Sequence, residues 1–136
     1  MDSVRHIMTD EVFTVQADQR LSEVRRLLTS HPFHHVPVLD GDLLVGILSS
    51  HDLLRMSLTV YEDSTEMEDA WLDASATIRT AMTPEPEAIA PDAPIARAAD
   101  ILGDGDFHAL PVVDHAGRLL GLVTSTDLIR YLAQRC

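Results

Sequence analysis

Two short segments of this sequence have the residue types and spacing to do chemistry: GILSSHD, Gly46 to Asp52, and GLVTSTD, Gly121 to Asp127. In each, an apolar run ends at a hydroxyl residue, Ser49 or Thr124, three residues before a carboxylate, Asp52 or Asp127. That spacing is a variant of the helix capping box, in which hydroxyl and carboxylate each accept the other residue's backbone N–H. It also suits a sugar, because one carboxylate can accept from the two vicinal hydroxyls of a ribose. The free N–H groups at a helix start can in turn hold a phosphate. The two uses are compatible, since a cap residue can also face a cleft. Ser49, His51 and Asp52 lie close in sequence, but neighbours at one helix start do not form a proton-relay geometry. There is no Walker loop and no Gly-x-Gly-x-x-Gly. The single cysteine, Cys136, offers neither an internal disulfide nor paired thiols for a metal. The expectation is a binding protein and not an enzyme, with no metal site.

The elements that must position these residues come in two copies. VRHIMTDE (Val4 to Glu11) lies over IRTAMTPE (Ile78 to Glu85) at an offset of 74, and FHHVPVLD (Phe33 to Asp40) over FHALPVVD (Phe107 to Asp114). After one extra loop residue, GILSSHDLLR lies over GLVTSTDLIR, and 17 of the 52 positions from Val4 to Arg55 are identical. This is an internal duplication. Each copy reads as a short extended piece (Val12 to Val15, or Glu87 to Ala90), then a helix with Asp18 or Asp92 expected at its cap. The helix carries an apolar stripe, Leu21, Val24, Leu27 and Leu28 in the first copy and Ile95, Ala98, Ile101 and Leu102 in the second. Two apolar strands joined at Gly41 or Gly117 follow, and a closing helix ends the unit. The repeats are assigned to residues 1–56 and 78–136, with an acidic, partly helical linker at 57–77. The linker carries Glu62, Asp63, Glu66, Glu68, Asp69 and Asp73 around Trp71 and Leu72. A unit of this size is marginal alone, so the two copies are expected to share a core.

Composition narrows the partners. The chain has 136 residues, 46% of them apolar and 24% charged, as in a globular domain. Twenty-two acids face ten bases, every base is arginine, and the net charge of -12 disfavours nucleic acid and anionic membrane surfaces. No apolar run approaches the length that spans a bilayer, and the N-terminus does not read as a secretory signal; a cytoplasmic location is expected. His31, His34 and His35 cluster in sequence, but adjacent residues on a strand point to opposite faces, so structural histidines are expected there and not a metal site.

The whole chain, the acidic linker excepted, resembles a tandem cystathionine-β-synthase (CBS) domain pair, the Bateman module, of the stand-alone bacterial type. The resemblance is carried by Met8-Thr9 and Met82-Thr83, by Pro37-Val38 and Pro111-Val112, and by the two Gly-x-x-Ser/Thr-x-x-Asp endings. It implies an α/β (α+β) fold of two βαββα repeats packed sheet to sheet with pseudo-twofold symmetry. It also implies a regulatory role, sensing an adenosine-containing ligand (AMP, ADP, ATP or S-adenosylmethionine) in clefts between the repeats, with no obligatory cofactor. Carried over by position, Asp52 and Asp127 grip the ribose, Ser49 and Thr124 assist, and His51 and Thr126 lie beside them. The adenine is expected between Val12, Val36 and Pro37, or between Ile89, Leu110 and Pro111. The second cleft, with Thr-x-Thr-Asp, is the closer match. His34 and His108 stand where the family places basic residues toward phosphate. Apolar helix faces at Leu53, Leu54, Leu128 and Ile129 imply a homodimer and an unidentified regulated protein. A dimerising protein-interaction scaffold with degenerate clefts is the alternative.

Overall fold

A computed structural model of the chain describes residues 2–57, 70, 73–74, 76–105 and 108–135. The acids expected at 62–69, together with Trp71, Leu72 and Cys136, lie outside them, as does the side chain of Leu54. The described elements are mixed α and β. A 3-10 turn at Val4–His6 precedes β1 (Val15–Gln16), α1 (Leu21–Ser30), β2 (His35–Asp40), β3 (Leu43–Ser49) and α2 (Ser50–Ser57). Then come α3 (Ile78–Ala81), β4 (Thr83–Pro84), α4 (Ile95–Gly103), β5 (Ala109–Val113), β6 (Leu119–Thr124) and α5 (Ser125–Arg135).

The chain divides into two compact units, and neither is one contiguous repeat. The first comprises Met1–Val12, Asp42–Leu44 and Pro86–Cys136; the second comprises Phe13–Gly41 and Val45–Glu85. The heads of the two repeats are therefore exchanged. In the second unit β1 runs parallel to β2, and β3 pairs antiparallel with β4, Ile47 lying opposite Thr83. The first unit repeats the plan with fewer residues. Ile89 bridges Val112 in parallel, β5 and β6 form an antiparallel pair, and Thr9 bridges Leu122. Thr9 and Leu122 exchange both backbone bonds, at 2.8 and 2.9 Å.

Packing explains why the heads settle there. Val4 is fully buried among Ile89, Ala98, Leu102, Leu110, Val112 and Val123 of the first unit. Its repeat counterpart Ile78 is fully buried among Val15, Leu21, Val24, Val36, Val38, Leu48 and Leu53 of the second. Close approach also requires the motif glycines. A Cβ on Gly121 would lie 2.5 Å from the Thr9 carbonyl oxygen, and one on Gly46 would lie 2.2 Å from the Met82 sulfur.

Three local expectations need correction. Asp18 and Asp92 do not cap their helices: the N-caps are Arg20 and Pro94, neither with a side-chain cap bond. At α1 the place is taken from far along the chain, by Asp73, which accepts from the backbone N–H of Ser22 at 3.0 Å and from its hydroxyl at 2.8 Å. Leu53 does not face outward; it is 6% exposed and belongs to the second unit's core, and Leu128 is half-buried against the first unit's core. The large apolar side chains left open on α5 are Ile129 and Leu132.

Candidate functional site

The second motif forms at the junction where β6 ends on Thr124 and α5 begins at Ser125. Thr124 donates its backbone N–H to Asp127 Oδ2 at 2.9 Å, and Asp127 donates its own to Thr124 Oγ1 at 3.3 Å. This is the reciprocal capping box the spacing predicts. The Thr124 hydroxyl also reaches Oδ2, at 3.2 Å, so one carboxylate oxygen is turned toward its own helix start. The other accepts from the hydroxyl of Thr9, at 3.3 Å. Asp127 is half-buried and Thr126 and His108 are exposed. Leu110 and Ile89 are buried in the first unit's core cluster. Pro111, between Leu110 and Val112, takes the opposite face of its strand and is buried as well.

The first motif repeats this geometry where β3 meets α2. Ser49 donates its N–H to Asp52 Oδ2 at 2.9 Å, and Asp52 donates its own to Ser49 Oγ at 3.1 Å. His34 sits at this helix start: its carbonyl accepts the Ser50 N–H at 2.9 Å, and its Nδ1 lies 3.4 Å from the Ser50 hydroxyl. His34 and His51 are exposed, Val36 belongs to the second unit's core cluster, and Pro37 again takes the other strand face. Val12, expected beside Val36 and Pro37, falls within the first unit and is not grouped with them.

The sequence reading missed Thr9. Its signal was present, as Met8-Thr9 was singled out, but chain order assigned it to the first repeat. The exchange of heads brings it to the acid of the second.

Several ionisable groups outside the two motifs are held by local partners. His31 closes α1, its Nδ1 donating to the Leu27 carbonyl at 3.0 Å, and its ring stacks on Phe33 and packs against Phe13. Among the described residues no group of three His, Cys, Asp or Glu side chains is placed to hold a metal. Asp114 accepts from the backbone N–H groups of Arg118 and Ala116 and from the Arg118 side chain, and these bonds hold its carboxyl below the usual value. Asp2 is held low by the Arg135 guanidinium, with Tyr131 donating to the same carboxylate at 3.2 Å. Arg135 is raised by the same pairing. No helix among the described residues is long and apolar enough to cross a membrane.

Comparison with known proteins places this geometry in context. The family model of the CBS domain matches twice, at residues 4–59 and 76–134. A CBS domain-containing protein of Dictyostelium discoideum is 29% identical over 133 residues, covering 95% of this chain and 90% of that protein. A homoserine O-acetyltransferase of Methanohalobium evestigatum is 29% identical over 132 residues, but the chain spans only 24% of its length. Among solved structures, the CBS domain pair of protein MJ0100 in complex with 5′-methylthioadenosine and S-adenosyl-L-methionine superposes with a TM-score of 0.81 at 25% identity, covering 100% of this chain and 99% of that one. CBSX2 in complex with AMP gives 0.82 at 26% identity, covering 98% of each chain.

Proposed function

Since the chain belongs to the CBS domain family, with both of its repeats matched, we propose that it is a non-enzymatic regulatory module that binds an adenosine-containing ligand at its Ser/Thr-x-x-Asp endings. The observation that carries this reading is the state of Asp127. Its carboxylate is half-buried and held in a fixed orientation by the Thr124 backbone and hydroxyl. A carboxylate positioned in advance can meet a ribose diol without first ordering its own side chain. The AMP and S-adenosylmethionine complexes of similar domain pairs support the ligand class.

In this reading Asp127 and Asp52 take the ribose, Thr124 and Ser49 assist, and Thr126 and His51 flank the sugar. Pro111 and Pro37 supply apolar surface for the base, from the strand face turned away from the cores. Val36 and Leu110 contribute by shaping their strands, and Ile89 by its bridge to Val112. His108 and His34, both exposed, meet the phosphate. No lysine exists in the chain and its net charge is -12. Repulsion therefore grows with each added phosphate, and AMP or ADP binds at least as well as ATP. A homodimer belongs to the same reading, supported by the exposed Ile129 on α5.

A thermal-shift screen with AMP, ADP, ATP, adenosine and S-adenosylmethionine tests the proposal. A concentration-dependent rise with at least one of them is expected. No rise with any of them, at millimolar ligand, contradicts it.

A further inference from the structure

The two motif carboxylates are matched in sequence but not in what meets them. Thr9 and Thr83 are repeat counterparts, as are Asp127 and Asp52. Their backbones take the same register: Thr9 lies opposite Leu122, and Thr83 lies opposite Ile47, the residue that corresponds to Leu122. In the first unit the Thr9 hydroxyl donates to Asp127 Oδ1 at 3.3 Å. In the second unit no hydrogen bond joins Thr83 to Asp52 among the described residues.

An ionised carboxylate offers about four lone-pair positions to donors. Asp127 Oδ2 accepts from the Thr124 N–H at 2.9 Å and from the Thr124 hydroxyl at 3.2 Å, and Oδ1 accepts from Thr9. With these donors in place there is room for about one more, on Oδ1. A ribose presents two vicinal hydroxyls, so a diol that takes this carboxylate with both must move a donor already there. The Thr124 N–H is fixed in the backbone where β6 passes into α5. The Thr124 hydroxyl is held in the capping box, where it also accepts the Asp127 N–H at 3.3 Å. The Thr9 bond is the longest of the three, comes from an exposed residue and lies on the oxygen turned away from the helix start. A long, exposed bond is the weakest, so Thr9 yields first.

Resting on the reading that Asp127 grips a ribose, we propose that Thr9 is a built-in competitor at that carboxylate and a specificity-determining residue of the second motif. Its hydroxyl occupies Oδ1 in the free protein, and a ribose diol displaces it. A ligand with both vicinal hydroxyls is penalised by the lost bond, and one with a single hydroxyl is not. Thr83 imposes no such penalty at Asp52, so the two motifs, alike in their capping boxes, receive a ribose differently. A positioning role for Thr9 has the opposite sign: a hydroxyl that held Asp127 ready for the sugar would strengthen binding, and its loss would weaken it.

Calorimetric titration of AMP into the full chain tests this. Thr9→Val keeps the side-chain shape and removes the hydroxyl; it should bind AMP about three- to fivefold more tightly than the parent, the scale of one weak hydrogen bond. Thr9→Ala should gain similarly, and Thr9→Ser, which keeps the donor, should bind as the parent does. The gain should vanish when Asp127→Ala is also present, and with 2′-deoxy-AMP, which needs one acceptor fewer. Thr83→Val should leave the affinity unchanged. Far-UV circular dichroism establishes that each variant is folded. Equal or weaker AMP binding by Thr9→Val, with Asp127→Ala binding more weakly than the parent, overturns the inference and leaves the ribose reading standing. So does a gain of the same size with 2′-deoxy-AMP, in the Asp127→Ala background or in Thr83→Val. Asp127→Ala that binds AMP as tightly as the parent overturns the ribose reading itself, and the inference with it.

Discussion

Thr9 and Asp127, 118 positions apart in the chain, share a side-chain hydrogen bond of 3.3 Å. The bond ties the head of the first repeat to the helix-capping acid of the second. A hydrogen bond to a charged group contributes about 1.5–3 kcal/mol at best, and a long, exposed one less. Thr9→Val should therefore lower stability by about 1 kcal/mol, read as a shift in urea midpoint with unchanged slope, and Thr9→Ser should restore most of it. A Val variant as stable as the parent would mean that the bond contributes nothing.

The motif glycines make a sharper, comparative prediction. At Gly121 an added methyl meets the carbonyl of Thr9, a residue whose backbone is fixed by its N–H and C=O bonds to Leu122. At Gly46 it meets the side-chain sulfur of Met82, which can swing aside. Gly121→Ala should cost about 1–3 kcal/mol, in the range for overpacking a closed contact, and Gly46→Ala clearly less. Equal costs, measured by denaturant unfolding, would contradict the asymmetry.

Much of this was legible in the residues. The duplication gave the element order, and Ser49–Asp52 and Thr124–Asp127 form the boxes their spacing predicts. Which head joins which body was not legible. Val4 and Ile78 are both apolar, and Thr9 and Thr83 are identical, so the residue types alone do not select one pairing. The caps failed for a related reason. Asp18 and Asp92 satisfy the local rule, yet Asp73, 51 positions from Ser22, reaches the α1 start instead. Long-range satisfaction of a helix end leaves no mark in the local sequence.

That distant cap can be tested directly. Ser22 is 1% exposed, and Asp73→Ala would leave its hydroxyl and backbone N–H buried without their acceptor. An unsatisfied buried polar group costs about 1–3 kcal/mol. A matching loss in Asp73→Ala, absent from Asp92→Ala, is expected by thermal unfolding. A loss in the second variant equal to the first would restore Asp92 as a cap.

Asp114 sets a pH dependence. Its folded carboxyl sits below the ordinary value of 3.8, chiefly because the Arg118 backbone N–H donates to it. A lowered folded pKa adds stability above the unfolded value, and that stability is lost as pH falls through the folded one. Asp114→Asn should thus melt below the parent at pH 7, and the gap should close as the pH is brought below 3.8. A gap that persists in acid would show that the carboxylate charge is not its source.

The central claim is that Asp127 grips an adenosine ligand, and calorimetric titration of AMP into the parent and Asp127→Ala tests it most directly. The parent should bind saturably. The variant, shown by circular dichroism to be folded, should bind more weakly by about 1–3 kcal/mol, the worth of a hydrogen bond to a charged group. AMP binding of equal affinity in the two proteins would contradict the account.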